Sequence, residues 1–225
     1  MSQHFLHIPA LLKPEEIARI EALAAAAEFV DGKLTASSPA REVKNNLQID
    51  AASAALAEVR AILDAARRSS PLFSIAALPK AVYPFTVSRY GPGDSYGWHV
   101  DNPMMGDPPL RTDLAMTVFL SDPASYEGGE LIIQDGAGTA AFKPGKGDAV
   151  LYPCQYLHCV NAVAKGTRLA AVTWIQSNVK SAEQRALLFQ LNQVHGSLYA
   201  QFPAAPETAM LLQVHSNLFR MWADL

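Results

Sequence analysis

The alternation of hydrophobic and polar positions divides the chain into three regions. Over residues 13–30 apolar side chains return at helical spacing (Ile17, Ile20, Leu23 and Ala27), which predicts an amphipathic helix. Pro14 suits its first turn, Glu15 and Glu16 sit at the positive end of its dipole, and Asp31-Gly32 stops it. A second helix is predicted from Asp50, a good N-cap, along the stripe Leu56, Val59, Leu63 and Ala66, ending before Ser69-Ser70-Pro71. Between the two, "REVKNNLQID" reads as extended.

From about residue 81 to 178 the period changes to two. "AVYPFTVSRY", "DLAMTVFLS", "GELIIQ", "TAAFKPG", "GDAVLYP", "LHCVNAV" and "RLAAVTWIQ" are β-rich runs separated by Gly, Pro, Asp and Lys. With the segment around His99 they make about eight short strands with no helix between them. That disfavours a doubly wound α/β fold. The expected architecture is mainly β with flanking helices, a double-stranded β-helix (jelly roll) core. The tail returns to helix. Ser181-x-x-Gln184 fits a capping box ahead of Leu187, Leu188, Leu191, Val194 and Leu198. Pro206 opens another helix with Met210, Leu211, Val214, Leu218 and Met221 at helical spacing. These stripes are expected to pack on the barrel or on each other, with a homo-oligomer contact as the alternative. The domain reading is 1–178, N-terminal helices plus a jelly-roll core of about 80–178, followed by a C-terminal helical extension, 179–225.

Composition narrows the functional classes. The 225 residues suffice for one sizeable core, and 50% hydrophobic with 17% charged residues is globular composition. A formal net charge of −3 gives no electrostatic case for a nucleic-acid partner. The N-terminal "MSQHFLHIPALLKPEE" lacks a secretory pattern, and no stretch approaches the roughly 20 apolar residues of a membrane span. Cys154 and Cys159 read as buried free thiols, so a reducing, cytoplasmic location is expected.

The candidate chemistry lies in the β region. His99 and Asp101 are two apart in "YGWHVDN", a spacing that puts both on one side of a strand. His158 follows 59 residues after His99 in another β run. Two histidines and a carboxylate on rigid strands form the facial set of non-haem Fe(II) oxygenases, which leaves coordination positions open. Arg168, ten residues after His158, offers a charged planar fork suited to a carboxylate. Its structural alternative is a salt bridge to Glu130 or Asp148.

These residues resemble the 2-oxoglutarate- and Fe(II)-dependent dioxygenases, in particular their prolyl 4-hydroxylase-like members and, within them, the bacterial PKHD-type hydroxylases associated with iron uptake. Tyr90 stands nine residues before His99, Tyr96 three before it, and Trp174 sixteen after His158, each as in that family. Arg111 opens "RTDLAMTVFLSD", similar to the family's strand, and "EGGEL" is similar to its "GGET" turn. The core resemblance covers roughly residues 80–178, and the PKHD-type similarity extends through "VKNNLQ" and the helical tail. It implies Fe(II) held by His99, Asp101 and His158, with the distal carboxylate of 2-oxoglutarate held by Arg168 and Tyr90. It further implies Trp174 and Tyr96 beside the substrate, ascorbate as a reductant, and hydroxylation with release of succinate and CO2. Animal and algal prolyl 4-hydroxylases carry lysine where this chain has Arg168, so peptidyl proline is not carried over; the substrate is a small molecule or a peptide. Halogenating relatives lack the carboxylate, so Asp101 favours hydroxylation.

Asn46 and Gln48, i and i+2 on the extended segment, either reach the substrate side or are solvated amides. Cys159 adjoins a ligand but is expected to face the other side of its strand. Trp174 has the alternative role of filling the barrel. His4, His7, His195 and His215 have no ligand-like partners at useful spacing, and Gly91, Gly93 and Gly97 are read as a sharp turn beside the metal. A non-enzymatic metal-binding or iron/2-oxoglutarate-sensing barrel would explain the ligands but not Arg168 with Tyr90. A zinc hydrolase lacks an evident general base.

Overall fold

The computed structural model describes residues 5–35, 38–136 and 138–224. Two antiparallel sheets form the jelly-roll core. The larger runs, in spatial order, Leu6–Ile8, Ala149–Pro153, Leu114–Phe119, Arg168–Ser177, Thr86–Tyr90, Leu47–Ile49 and Phe29–Asp31, with Pro79–Val82 also paired to Arg168–Ser177. The smaller runs Gly138–Phe142, Leu131–Asp135, Leu157–Val160, Ser95–His99 and Lys44–Asn45.

Strand parity decides what each sheet face meets. Every residue of Leu114–Phe119 is buried, because the strand lies between two apolar layers. Leu114, Met116 and Val118 join the helix-facing core with Ile17, Ile20, Leu56, Val59 and Leu63. Ala115 and Phe119 point the other way, to Leu131, Ile133 and Tyr152. Arg168–Ser177 divides likewise: Ala171 and Ile175 face the helices, whereas Arg168, Val172 and Trp174 line the interior cavity. The predicted stripe on helix Ala54–Ser69 is the face that docks, with Leu56, Val59 and Leu63 buried. At roughly 1.5–3 kcal/mol per buried aliphatic side chain, this docking outweighs intrinsic propensity in holding the helix.

Several boundaries differ from the periodicity. The first helix spans Pro14–Ala26, and Phe29–Asp31 leaves it to pair with Leu47–Ile49 as a strand. The aromatic and β-branched residues Phe29 and Val30 fit a sheet edge, where Arg89 stacks over the Phe29 ring at 3.8 Å. Asp50 does not cap the second helix. Its carboxylate accepts from Ala52 N–H at 2.8 Å in a local turn, and Ser53 occupies the N-cap. Ser70-Pro71 ends one helix but also starts a short one, Pro71–Ala77, with Ser70 Oγ accepting from Phe73 N–H. The run at 81–90 divides between Val82 and Thr86, and the run at 157–163 between Val160 and Val163.

The tail forms helices Ala182–Gln201 and Pro206–Trp222, and Ser181 Oγ accepts from Gln184 N–H at 3.2 Å as the N-cap half of the expected box. Arg111 ties the end of the chain to the barrel through Asp113 at 2.7 Å and Asp224 at 3.1 Å. Only part of the two stripes is covered: Leu188 is buried, whereas Leu187, Val194, Met210 and Met221 are exposed. No helix among the described residues is long and apolar enough to cross a membrane.

Candidate active site

All seven residues singled out for the site line one cavity of about 220 Å³ between the sheets: Tyr90, Tyr96, His99, Asp101, His158, Arg168 and Trp174. His99 and His158 stand directly opposite each other on paired strands, their ring centroids 4.2 Å apart. Asp101 follows the end of strand Ser95–His99 and brings Oδ1 to 3.7 Å from His158 Nε2. One ligand atom from each of the three lies within 4.8 Å of the others, the one such group found among the described residues.

The surroundings of the triad orient it for a cation. His99 Nδ1–H donates to the Gly97 carbonyl at 2.8 Å and His158 Nδ1–H to the Tyr156 carbonyl at 3.0 Å. Each carbonyl holds its ring in the tautomer whose Nε2 lone pair is free to bind a metal. Burial, reinforced by His158, pushes the His99 pKa down to about 3, so the ring is neutral at physiological pH, the form that ligates. Asp101 Oδ2 is buried without a hydrogen-bond partner. An unpaired buried carboxylate oxygen is costly unless a cation meets it. The donor set, its tautomers and this orphan oxygen fit Fe(II).

A bulge builds part of the site. In a regular strand Tyr96 and His99, three apart, would face opposite sides. The pairing shifts so that four residues, Tyr96 to His99, lie opposite three, His158 to Val160. The shift turns both rings to the interior, stacked at 3.6 Å between centroids and 16° between planes. Gly97 permits this geometry, because a Cβ there would lie 2.9 Å from Val43 Cβ. Gly93, at φ +88°, makes the sharp turn expected of the preceding glycine-rich loop.

Arg168 opens strand Arg168–Ser177 directly across from Tyr90. Its guanidinium lies 5.1 Å from the Tyr90 ring centroid and 5.4 Å from that of Phe119, and the residue is 2% exposed. The salt bridge to Glu130 or Asp148 does not form: Glu130 accepts from Asn161, and Asp148 holds His7 and the Ala10 N–H. Arg168 Nε has no hydrogen-bond partner, and no carboxylate among the described residues lies within 4.0 Å of the guanidinium. A buried guanidinium without a protein counter-ion fits an anionic ligand such as 2-oxoglutarate. The "EGGEL" turn makes room for it, since a Cβ on Gly129 would press at 3.0 Å on Arg168 Cδ.

Trp174 also lines the cavity, edge-on to Tyr83 at 5.8 Å, and its indole N–H is buried without a partner. Asn46 and Gln48, left between two readings by the sequence, are buried cavity-lining residues rather than solvated amides. Cys159 is buried off the cavity, as strand parity required. The Cys154 thiol sits near Asp101, its pKa raised by burial and then by that carboxylate. His4 lies outside the described residues.

Sequence reasoning missed Lys44, Ser88, Arg60 and Tyr152, which also line the cavity. Lys44 shares strand parity with Asn46 and Gln48, but lysine is so commonly exposed that parity alone does not mark it as buried.

Comparison with known proteins agrees with this geometry. The family described as the 2OG-Fe(II) oxygenase superfamily matches residues 85–176, and the PKHD-type hydroxylase C-terminal domain matches residues 183–224. A PKHD-type hydroxylase of Klebsiella pneumoniae is 41% identical over 222 residues, covering 97% of this chain and 99% of its own. The Escherichia coli O1:K1 PKHD-type hydroxylase YbiX is 40% identical with the same coverage. The crystal structure of a Pseudomonas putida prolyl-4-hydroxylase superposes with a TM-score of 0.55 at 17% identity, covering 78% of this chain and 94% of that one, a likeness of fold. The chain therefore belongs to the PKHD-type hydroxylases, 2-oxoglutarate-dependent non-haem iron dioxygenases built on a jelly-roll barrel.

Proposed function

We propose that this dioxygenase hydroxylates a C–H bond of a small-molecule or peptide substrate and releases succinate and CO2. One observation carries the reading. The His99–Asp101–His158 cluster shares its cavity with a buried guanidinium that has no counter-ion among the described residues. In this reading the three cluster residues hold Fe(II), and Arg168 pairs with the distal carboxylate of 2-oxoglutarate while the Tyr90 hydroxyl donates to it. Bound together, iron and 2-oxoglutarate supply the oxidising power, coupling decarboxylation of the keto acid to oxygen transfer. The chain's own residues bind, orient and exclude water. The Gly97 and Tyr156 carbonyls keep each imidazole in its ligating tautomer, and Phe119 and Tyr90 shield the guanidinium. Ascorbate serves as the external reductant, the reaction belongs to iron uptake, and the cytoplasm is its site. The deciding experiment is a screen of iron-related small molecules and peptides for substrate-stimulated succinate production; no stimulation by any of them would count against the iron-uptake link.

Trp174 and Tyr96 line the approach to the iron in this reading. Trp174→Phe keeps most of the ring volume but removes the indole N–H, which has no protein acceptor. The expected result is a modest loss of thermal stability with a rise in uncoupled succinate formation. Unchanged coupling would leave Trp174 as barrel filling.

The exposed apolar residues on the C-terminal helices form the proposed homo-oligomer contact. Val194→Glu with Met210→Glu is expected to lower the mass measured by light scattering to that of one chain. A wild type already monomeric in that measurement would refute the contact.

A further inference from the structure

We propose that Lys44 and Asn46, positioned by Gln48, bind the primary substrate, and that the substrate carries a carboxylate that pairs with the Lys44 ammonium. The inference rests on the dioxygenase reading above and deepens it.

The extended segment crosses the cavity mouth. Lys44 and Asn45 pair with Tyr96 and Ser95 in the smaller sheet, and Leu47 and Gln48 pair with Arg89 and Ser88 in the larger. Asn46 is the residue at the crossing. Lys44, Asn46 and Gln48, two apart in succession, all line the cavity and are at most 6% exposed.

Their hydrogen bonding separates their roles. Gln48 is satisfied within the protein: Oε1 accepts from Thr35 Oγ1 at 2.6 Å and Nε2 donates to Ser88 Oγ at 3.1 Å. It positions Thr35, whose hydroxyl accepts from the Lys44 ammonium at 3.0 Å. Lys44 also lies over the Tyr96 ring, 5.3 Å from its centroid, but among the described residues no carboxylate comes within 4.0 Å. Asp31 and Asp101 act on it only from farther away, and burial lowers its pKa to about 8, which leaves it mainly charged at neutral pH. Asn46 is buried beside the Tyr90 hydroxyl, yet neither its amide nitrogen nor its oxygen makes a well-formed hydrogen bond, and it fits there because residue 32 is glycine. A buried ammonium without a counter-ion beside a buried amide that lacks a well-formed hydrogen bond is unfavourable in the free protein, and a ligand carboxylate satisfies both.

The cavity's charge points the same way. Among the described residues its lining has three basic side chains, Lys44, Arg60 and Arg168, and one carboxylate, Asp101. Asp101 goes to iron and Arg168 to 2-oxoglutarate. Arg60 already donates Nε–H to the Phe85 carbonyl at 2.8 Å. Of the two cations left for the substrate, Lys44 is the buried one whereas Arg60 is half-buried, and Tyr83 and Trp174 supply apolar surface for the rest of it.

The test uses the anaerobic Fe(II) protein with 2-oxoglutarate bound, whose metal-to-ligand absorption band reports both cosubstrate and substrate binding. Aliphatic, aromatic and N-acylated carboxylates are titrated, each beside its own carboxamide. At least one acid is expected to bind tenfold or more tightly than its amide. Lys44→Met should abolish that preference, Lys44→Arg should keep most of it, and Asn46→Asp should weaken the acid by repulsion. Affinity for 2-oxoglutarate should be unchanged in Lys44→Met. The proposal is overturned by acids that never outbind their amides, by a preference that survives Lys44→Met, or by a Lys44→Met protein that loses 2-oxoglutarate instead. Absence of the band in the wild type would overturn the dioxygenase site itself, and this inference with it.

Discussion

His158→Ala is expected to lose iron and turnover together while the barrel stays folded. His158 supplies one of three ligand atoms, and its Nε2 faces Asp101 and His99 across paired strands. No neighbouring residue can replace it, because the described residues contain no fourth metal-ligating side chain in this group. Even an outer partner of a metal ligand typically contributes about 10–100-fold in affinity, so loss of a ligand should exceed roughly a hundredfold. The fold depends less on this residue. The strand Leu157–Val160 keeps its pairing with Leu131–Asp135, and the bond lost is one from Nδ1 to the Tyr156 carbonyl. Metal content after dialysis against Fe(II), succinate production and a thermal melt separate these effects. His99→Ala should behave alike. Full metal content and activity in either variant would mean that the iron lies elsewhere.

Arg168→Ala should weaken 2-oxoglutarate by roughly 30-fold to several-thousand-fold while sparing iron. Truncating one partner of a buried charge pair typically costs about 2–5 kcal/mol, and about 1.4 kcal/mol is tenfold in affinity. The free protein provides the contrast. Arg168 has no carboxylate within 4.0 Å among the described residues, so the variant breaks no salt bridge there. The loss should therefore appear in cosubstrate affinity far more than in stability. Arg168→Lys keeps the charge without the planar fork and should lose less. Tyr90→Phe removes one hydrogen bond to a charged group, on the order of 1.5–3 kcal/mol. Anaerobic titration of 2-oxoglutarate, followed by the absorption band of its iron chelate, measures each. Unchanged affinity in Arg168→Ala would place the anchor on another residue.

The substrate-side and solvated readings of Asn46 and Gln48 could not be separated from the sequence, because solvation of a polar strand depends on what crosses it. Arg168 posed the same difficulty. Its spacing from His158 is local information, but whether Glu130 or Asp148 reaches it depends on two further loops. Both carboxylates turn to other partners, Asn161 and His7.

The sequence by itself determined the features that depend on local period. Helical spacing marked the faces of Ala54–Ser69 that the core buries, and period two marked the barrel strands. His99, Asp101 and His158 were legible because their residue types and positions match a known ligand pattern. Only the tertiary structure decided how the strands register. The bulge between Tyr96 and His99 turned two rings from opposite faces to one, and the crossing at Asn46 carried one short segment between two sheets. Parity along a strand is a property of neighbouring residues, whereas register and bulges arise from which distant strand supplies the partner. That is why the candidate metal cluster was legible in the chain, and the lysine beside it was not.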